Sequence, residues 1–329
     1  MAFSALAALQ GCGLPPTLVS GEQDPVDYDP LHFLMVGDWG VENANNIDDQ
    51  SDVAKAMGNY LAKWKFGLDG LLMLGDNFYG DMPGGVSSSR WQSTFEGMYP
   101  KSTFDCPAYA VAGNHDYQRS PGSKVEAQLA YAAQGTSRWT MPARYSTLQL
   151  PGGANPLVEY FFVDSNMPRE QAQPRPPDRS YYTPTDLQRA EQLSWLTTAL
   201  KKPKLGIYRV VVGHHPLYSN GPHGDNQTLI HDWDPLFRAN GVDLYLAGHD
   251  HDLQHLEFAG HPTSFVSSGA GGAPLNTLKK TYGPYAQQVH GFTHLNLTST
   301  QMVVRHLDTT GSLLHKFTRD TGGRVTILK

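Results

Sequence analysis

Asp38, Asp76, Asn114, His214 and His249 each stand directly after a glycine, and each of those glycines closes a short apolar run. Tyr79 lies three residues beyond Asp76, and His251 two beyond His249. Carboxylate, phenolate, amide and imidazole are donors for hard and borderline metal ions. Seven such side chains exceed what one ion needs. If Asp76 bridges, two ions each take four donors: Asp38, Asp76, Tyr79 and His251 on one, and Asp76, Asn114, His214 and His249 on the other. Each octahedral ion then keeps two positions for a shared hydroxide and for water or a substrate oxygen. This is the layout of a two-metal hydrolase, which clamps a phosphoryl group and acidifies the attacking water.

The runs that must present these residues are Leu31 to Val36, Leu71 to Leu74, Tyr109 to Ala112, Arg209 to Val212 and Asp243 to Ala247. They are nearly continuously apolar, too short for helices and ended by a breaker, so each reads as a buried strand. Between the first two, Val53, Met57, Tyr60, Leu61 and Trp64 fall at helical spacing behind Asp49 and Ser51 as N-cap residues. Strand, helix, strand implies a right-handed crossover to a parallel neighbour. Further helices are expected over Lys124 to Gln134, over about Pro184 to Leu200 with Thr183 as cap, and over Asp234 to Ala239. In the second of these, Leu187, Ala190, Leu193 and Leu196 point to the core. From His261 onward the pattern turns to strands, at Thr263 to Ser267, Phe292 to Leu297, Gln301 to Asp308 and Leu313 to Thr318, with Thr309-Thr310-Gly311 as a hairpin. No composition break divides residues 31–329, which read as one catalytic domain behind an N-terminal tail, 1–30.

Taken in order, Gly37-Asp38-Trp39-Gly40, Gly75-Asp76-Asn77-Phe78-Tyr79, Gly113-Asn114-His115-Asp116, Gly213-His214-His215-Pro216 and Gly248-His249-Asp250-His251 resemble the metallophosphoesterase signature of purple acid phosphatases, especially the small tartrate-resistant form. The likeness runs from about Leu31 to Asp320, through Leu193-Ser194-Trp195-Leu196 and Ser267-Ser268-Gly269-Ala270-Gly271. It implies an α/β fold, a four-layer αββα sandwich of two mixed β-sheets flanked by helices. Many superfamily relatives carry Asp-x-His in the first motif. Here that position is Gly40, and Tyr79 is the expected replacement ligand. A phenolate suits a trivalent ion, so the implied pair is Fe(III) plus a divalent metal, Fe, Zn or Mn, and the protein would be purple. The implied activity is hydrolysis of phosphate monoesters by attack of a metal-bound hydroxide. His115 and His223 match substrate-facing histidines of the family and are the expected proton donors to the leaving alcohol. Two other readings share the motifs: a phosphodiesterase or nucleotide hydrolase, and an iron protein whose redox cycling generates oxygen radicals.

The bland readings set the scale. A single Gly-Asp after an apolar run usually marks a turn; five in one order carry the inference. Of the 14 histidines, His32, His231, His255, His261, His290, His294, His306 and His315 lie outside the motifs and default to surface or satisfied core positions. His215 reads equally as a substrate contact and as packing. Trp39 and Phe78 read as packing around the site. Met167 to Arg179, rich in proline and arginine, is a surface loop where related enzymes carry one that restrains activity until cleaved; a plain linker is the competing reading.

The net charge of -6 and pI near 6.1 argue against wide nucleic-acid or anionic-membrane binding, leaving a small phosphorylated substrate as the partner. No apolar stretch approaches the roughly 20 residues of a membrane span. Cys106, just before an apolar run, reads as a small core residue. Leu9-Gln10-Gly11-Cys12 resembles a lipobox, with Cys12 as a lipid-anchor position and a secreted, periplasmic or cell-envelope location; a featureless tail is the alternative, because the basic n-region of a signal is missing.

Overall fold

β1 (Leu31–Val36) pairs parallel with β2 (Gly70–Met73) on one side and antiparallel with β12 (Gly291–Leu297) on the other, which joins the two ends of the sequence in one sheet. This computed structural model describes residues 28–41, 44–118, 123–166 and 184–329. The lipobox-like stretch with Cys12, the 167–179 loop and Thr183 lie outside the described residues.

The first sheet continues from β2 through β3 (Ala108–Ala110) to β4 (Trp139–Thr140), all parallel, and from β12 through β13 (Gln301–Asp308) and β14 (Leu313–Asp320) to β15 (Val325–Ile327), all antiparallel. The second sheet has β6 (Val158–Phe162), β7 (Tyr208–Val212), β8 (Leu244–Ala247) and β10 (Ser264–Ser268) in parallel. Its antiparallel members are β5 (Ser146–Leu150), β9 (Leu253–Leu256) and β11 (Tyr285–Gln287). Both sheets are mixed, as the αββα expectation requires.

The continuous apolar runs are explained by burial on both strand faces. Phe33 and Met35 of β1 meet Tyr160, Val210 and Leu246 of the second sheet, whereas Leu34 and Val36 face the opposite way, toward Val53 and Met57 of α1 (Ala44–Trp64). A third core packs Val211 and Tyr245 against α3 (Asp186–Leu200) and α4 (Gln227–Ala239). α2 (Lys124–Ala133), capped by Ser123, adds Val125 to the first core.

Three helix readings are corrected. α1 starts at Ala44, so Asp49 and Ser51 are interior residues rather than caps. α3 is capped by Thr185, whose side chain and that of Gln188 form a reciprocal capping box, and Pro184 precedes the helix. Leu187 is 69% exposed and Ala190 is exposed, whereas Leu196 is buried and Leu193 packs against the core as expected; Gln192 and Leu200 complete the buried face. α4 begins seven residues before Asp234, behind the Asn226 cap, and carries Pro235 inside it. The Thr309-Thr310-Gly311 hairpin is present, with Asp308 Oδ1 accepting from the Thr310 and Ser312 amides. Cys106 is buried and unpaired.

Candidate metal centre

The apolar strands deliver their following residues to one edge, and three of those residues leave the strand in the left-handed region: Asp38 at φ 58°, Asp76 at 51° and His249 at 71°. Such conformations cost of order 1–3 kcal/mol each and persist where the surroundings hold them. The glycines before them allow close packing of the loops. A Cβ on Gly248 would lie 2.6 Å from Asp38 Oδ2, and one on Gly40 would lie 1.7 Å from the Asn77 carbonyl oxygen.

Each of the two carboxylates divides its oxygens between structure and site. Asp38 Oδ2 accepts from the His249 amide at 2.7 Å, and Asp76 Oδ1 accepts from the His115 amide at 2.7 Å. Asp38 Oδ1 is left 3.2 Å from the Tyr79 hydroxyl, 3.4 Å from His251 Nε2 and 4.0 Å from His214 Nε2. Asp76 Oδ2 lies 3.5 Å from His214 Nε2 and 3.9 Å from His115 Nε2. The Tyr79 hydroxyl is also 3.2 Å from His251 Nε2, and Asn114 Oδ1 is 3.1 Å from His214 Nε2. His249 stands beside His214, with ring centroids 5.1 Å apart.

The imidazoles are aimed by backbone carbonyls. His214 Nδ1 is 2.8 Å from Leu74 O and His251 Nδ1 is 2.7 Å from Pro274 O. A carbonyl only accepts, so Nδ1 carries a proton and Nε2 is the nitrogen turned to the carboxylates, the one that would bind a metal.

The electrostatics of the polypeptide alone point the same way. Burial raises the Asp76 carboxyl, but the His214 and His115 imidazoles outweigh it and hold the group well below the usual carboxylate range. Burial opposes charge on His214, yet Asp76 and Asp38 push it up to about 10; His251, opposed by burial and helped by Asp38, reaches about 9. Burial lifts the Tyr79 phenol well above its ordinary value, and Asp38 and Asp76 lift it further. Burial lowers His249, and the neighbouring His215, His223, His214 and His251 lower it more.

Asp38 and Asp76 are 0% and 1% exposed, and their ion-pair partners among the described residues are histidines alone. Buried carboxylates without an arginine or lysine require cations or protonated imidazoles. The donor atoms of Asp38, Asp76 and His214 lie within 4.8 Å of one another, as do those of His214, His215 and His249. The set fits metal ions. His215, though in the second group, is fully buried with Nδ1 2.9 Å from Ser165 Oγ, which also accepts from the His214 and His215 amides; this placement favours packing under the site.

Of the two expected proton donors, His115 lies against Tyr79, with ring centroids 4.2 Å apart, and Gln118 Nε2 is 2.6 Å from its Nδ1. Burial lowers His115. His223 lies over His249, with ring centroids 4.1 Å apart, and its Nδ1 is 2.7 Å from Asp250 Oδ1; that hydrogen bond raises it against burial. All nine residues singled out from the sequence therefore gather at one end of the strands.

Several supporting residues have no such spacing signal. Asp116 accepts from the Asn77, Phe78 and Gly113 amides and from Gln128 Nε2, which ties the second motif to the third. Arg90 donates to the carbonyls of Tyr79, Asp81 and Gly40. Lys124 is 1% exposed, donates to Gly80 O at 2.6 Å, and is lowered by burial to about 8. Asp116 and Asp250 stand inside the motifs and could be found there; Arg90 and Lys124 are outside them.

The sequence pattern of calcineurin-like phosphoesterases matches residues 31–253. Purple acid phosphatase 7 of Arabidopsis thaliana is 33% identical over 294 residues, covering 87% of this chain and 85% of the relative. Tartrate-resistant acid phosphatase type 5 of Mus musculus is 33% identical over 305 residues, covering 87% and 89%; its Homo sapiens counterpart is 32% identical over 333 residues, covering 95% and 96%. Among solved structures, GAP50 of Plasmodium superposes with a TM-score of 0.70 at 21% identity over 91% of this chain and 90% of that one. The yellow lupin purple acid phosphatase PPD1 gives 0.62 at 13% identity, over 88% and 53%. These two likenesses concern the fold.

Proposed function

Given that the chain belongs to the calcineurin-like phosphoesterase family and, within it, to the purple acid phosphatases, we propose that Asp38, Asp76, Tyr79, Asn114, His214, His249 and His251 hold the metals and that His115 and His223 serve the substrate. The protein is a binuclear metal-dependent hydrolase of phosphate monoesters, an acid phosphatase. The observation that carries the ligand assignment is the division of labour in Asp38 and Asp76, each with one oxygen on a neighbouring motif's amide and the other among imidazoles.

When bound, the metals supply positive charge to the phosphoryl oxygens and acidify the attacking water. The chain's own residues do the rest. Asp76 would serve both ions. Tyr79 would give a phenolate to the ion held with Asp38 and His251, which favours Fe(III) there. Asn114, His214 and His249 would hold a divalent Fe, Zn or Mn with Asp76. His223, whose pKa is raised by its hydrogen bond to Asp250, donates to the leaving alcohol, and His115 binds a phosphoryl oxygen.

Residues 31–329 act as one catalytic domain, a reading supported by the pairing of β1 with β12. Export, with lipid attachment at Cys12, is supported by the lipobox-like sequence. No helix among the described residues is long and apolar enough to cross a membrane. Comparing turnover of an aryl monophosphate with that of a bis-aryl phosphate tests the substrate class: a faster diester rate would replace the monoesterase reading with a phosphodiesterase one.

A further inference from the structure

Beside the outer end of α1, a cavity of about 920 Å³ opens on the helix-covered face of the first sheet, lined by none of the residues assigned to the metal centre. That volume suits a nucleotide-sized ligand. Its floor is a cross-strand row: His294 of β12 stands opposite Arg305 of β13, and Arg305 opposite Lys316 of β14. Like charges placed directly opposite in a sheet repel. Arg305 is half-buried, with its Nη1 3.4 Å from His294 Nδ1, and none of Lys63, Arg305 and Lys316 has a carboxylate ion-pair partner among the described residues. The acids nearby are already engaged. Asp69 accepts from the His32 amide, and Asp308 Oδ1 accepts from the hairpin and lies in the field of Lys329.

The wall is aromatic. Phe66 stacks on His294 at 4.8 Å and on His32 at 4.3 Å, while Trp64, 59% exposed at the end of α1, carries the Lys63 ammonium 5.5 Å from its ring. The cations and the exposed ring together suit a planar anion, whose charge offsets the Arg305–Lys316 repulsion and whose face covers Trp64. We propose that this cavity is a second binding site, distinct from the metal centre, for a small planar aromatic molecule bearing oxyanion groups, with Lys63, Arg305 and Lys316 on the oxyanions and Trp64 and Phe66 against the ring. The site does not depend on the assignment of the metal ligands.

Naphthalene-1,5-disulfonate, which no phosphatase can hydrolyse, is the probe, titrated calorimetrically into the full-length metal-loaded protein. Wild type binds it with an affinity that falls as salt rises. Lys316→Gln and Trp64→Ala each weaken it about tenfold, the worth of one charge-assisted hydrogen bond or ring contact, without changing monophosphate turnover. His223→Ala leaves probe binding unchanged. Absence of binding to wild type, equal binding by both pocket variants, or loss of binding in His223→Ala overturns the proposal; the last result would place the probe at the metal centre.

Discussion

Asp250 holds His223: its Oδ1 lies 2.7 Å from His223 Nδ1, while its other oxygen accepts from Ser219 Oγ. The carboxylate is buried and the imidazole half-exposed, so one fixed group orients one that can reach solvent. The hydrogen bond that His223 Nδ1 donates to Asp250 is the main reason His223 titrates above its ordinary value. A donor is active only while protonated, so its contribution is present below its pKa and lost as pH rises through it. Asp250→Asn lowers that pKa and should move the alkaline limb of the kcat/KM profile to lower pH, with metal content unchanged. An unmoved limb would remove His223 from the proton-donor role.

His223→Ala should slow turnover by about 10²–10⁴-fold, the usual worth of general-acid help, and His115→Ala by about 10–10²-fold, the worth of one charge-assisted hydrogen bond to a phosphoryl oxygen, with both metals retained in each. Metal analysis beside the kinetics checks this. Loss of a metal in either variant would make that histidine a ligand.

Gly40 cannot carry the histidine that many relatives have there, because its Cβ position is occupied by the Asn77 carbonyl. Gly40→Ala should destabilise the protein by about 3 kcal/mol or more, at the upper end of overpacking costs. Gly67→Ala, where a Cβ meets nothing within 4 Å, should be neutral or gain up to about 1 kcal/mol. Urea unfolding of the two variants makes the comparison, and equal stabilities would contradict it.

Metal loading should release protons. His214 and His251, pushed up to about 10 and about 9 against burial by Asp76 and Asp38, are imidazolium ions at pH 7 in the metal-free chain. A metal takes only the neutral ring. Binding therefore frees a proton from each, and affinity rises with pH until these pKa values are passed. Titration calorimetry in two buffers of different ionisation enthalpy measures the release; no difference between buffers would contradict the assignment of both residues.

The site is more legible in the sequence than the helices around it. Strands buried on both faces write continuous apolar runs, and the donors follow immediately after them. Helix α3 shows the limit of periodicity. Its buried face holds Gln192, which donates to Asp164 O and accepts from Asp164 N, while the apolar Leu187 is left outside. A polar residue buried to satisfy backbone near the site has no hydrophobic period. The first turns of α4 carry Leu229 and Trp233 on its buried face, but Pro235 argues for a break that the helix absorbs. Asp116 and Asp250 lie within the motifs, but their roles depend on partners that spacing does not reveal.

The proposed centre is a ferric–divalent pair with Tyr79 on the ferric side. Metal analysis with a visible spectrum, on wild type and Tyr79→Phe, tests it most directly. Two metals per chain are expected, one of them iron, with a visible absorption band that Tyr79→Phe abolishes. A colourless, iron-free and fully active wild type would contradict it.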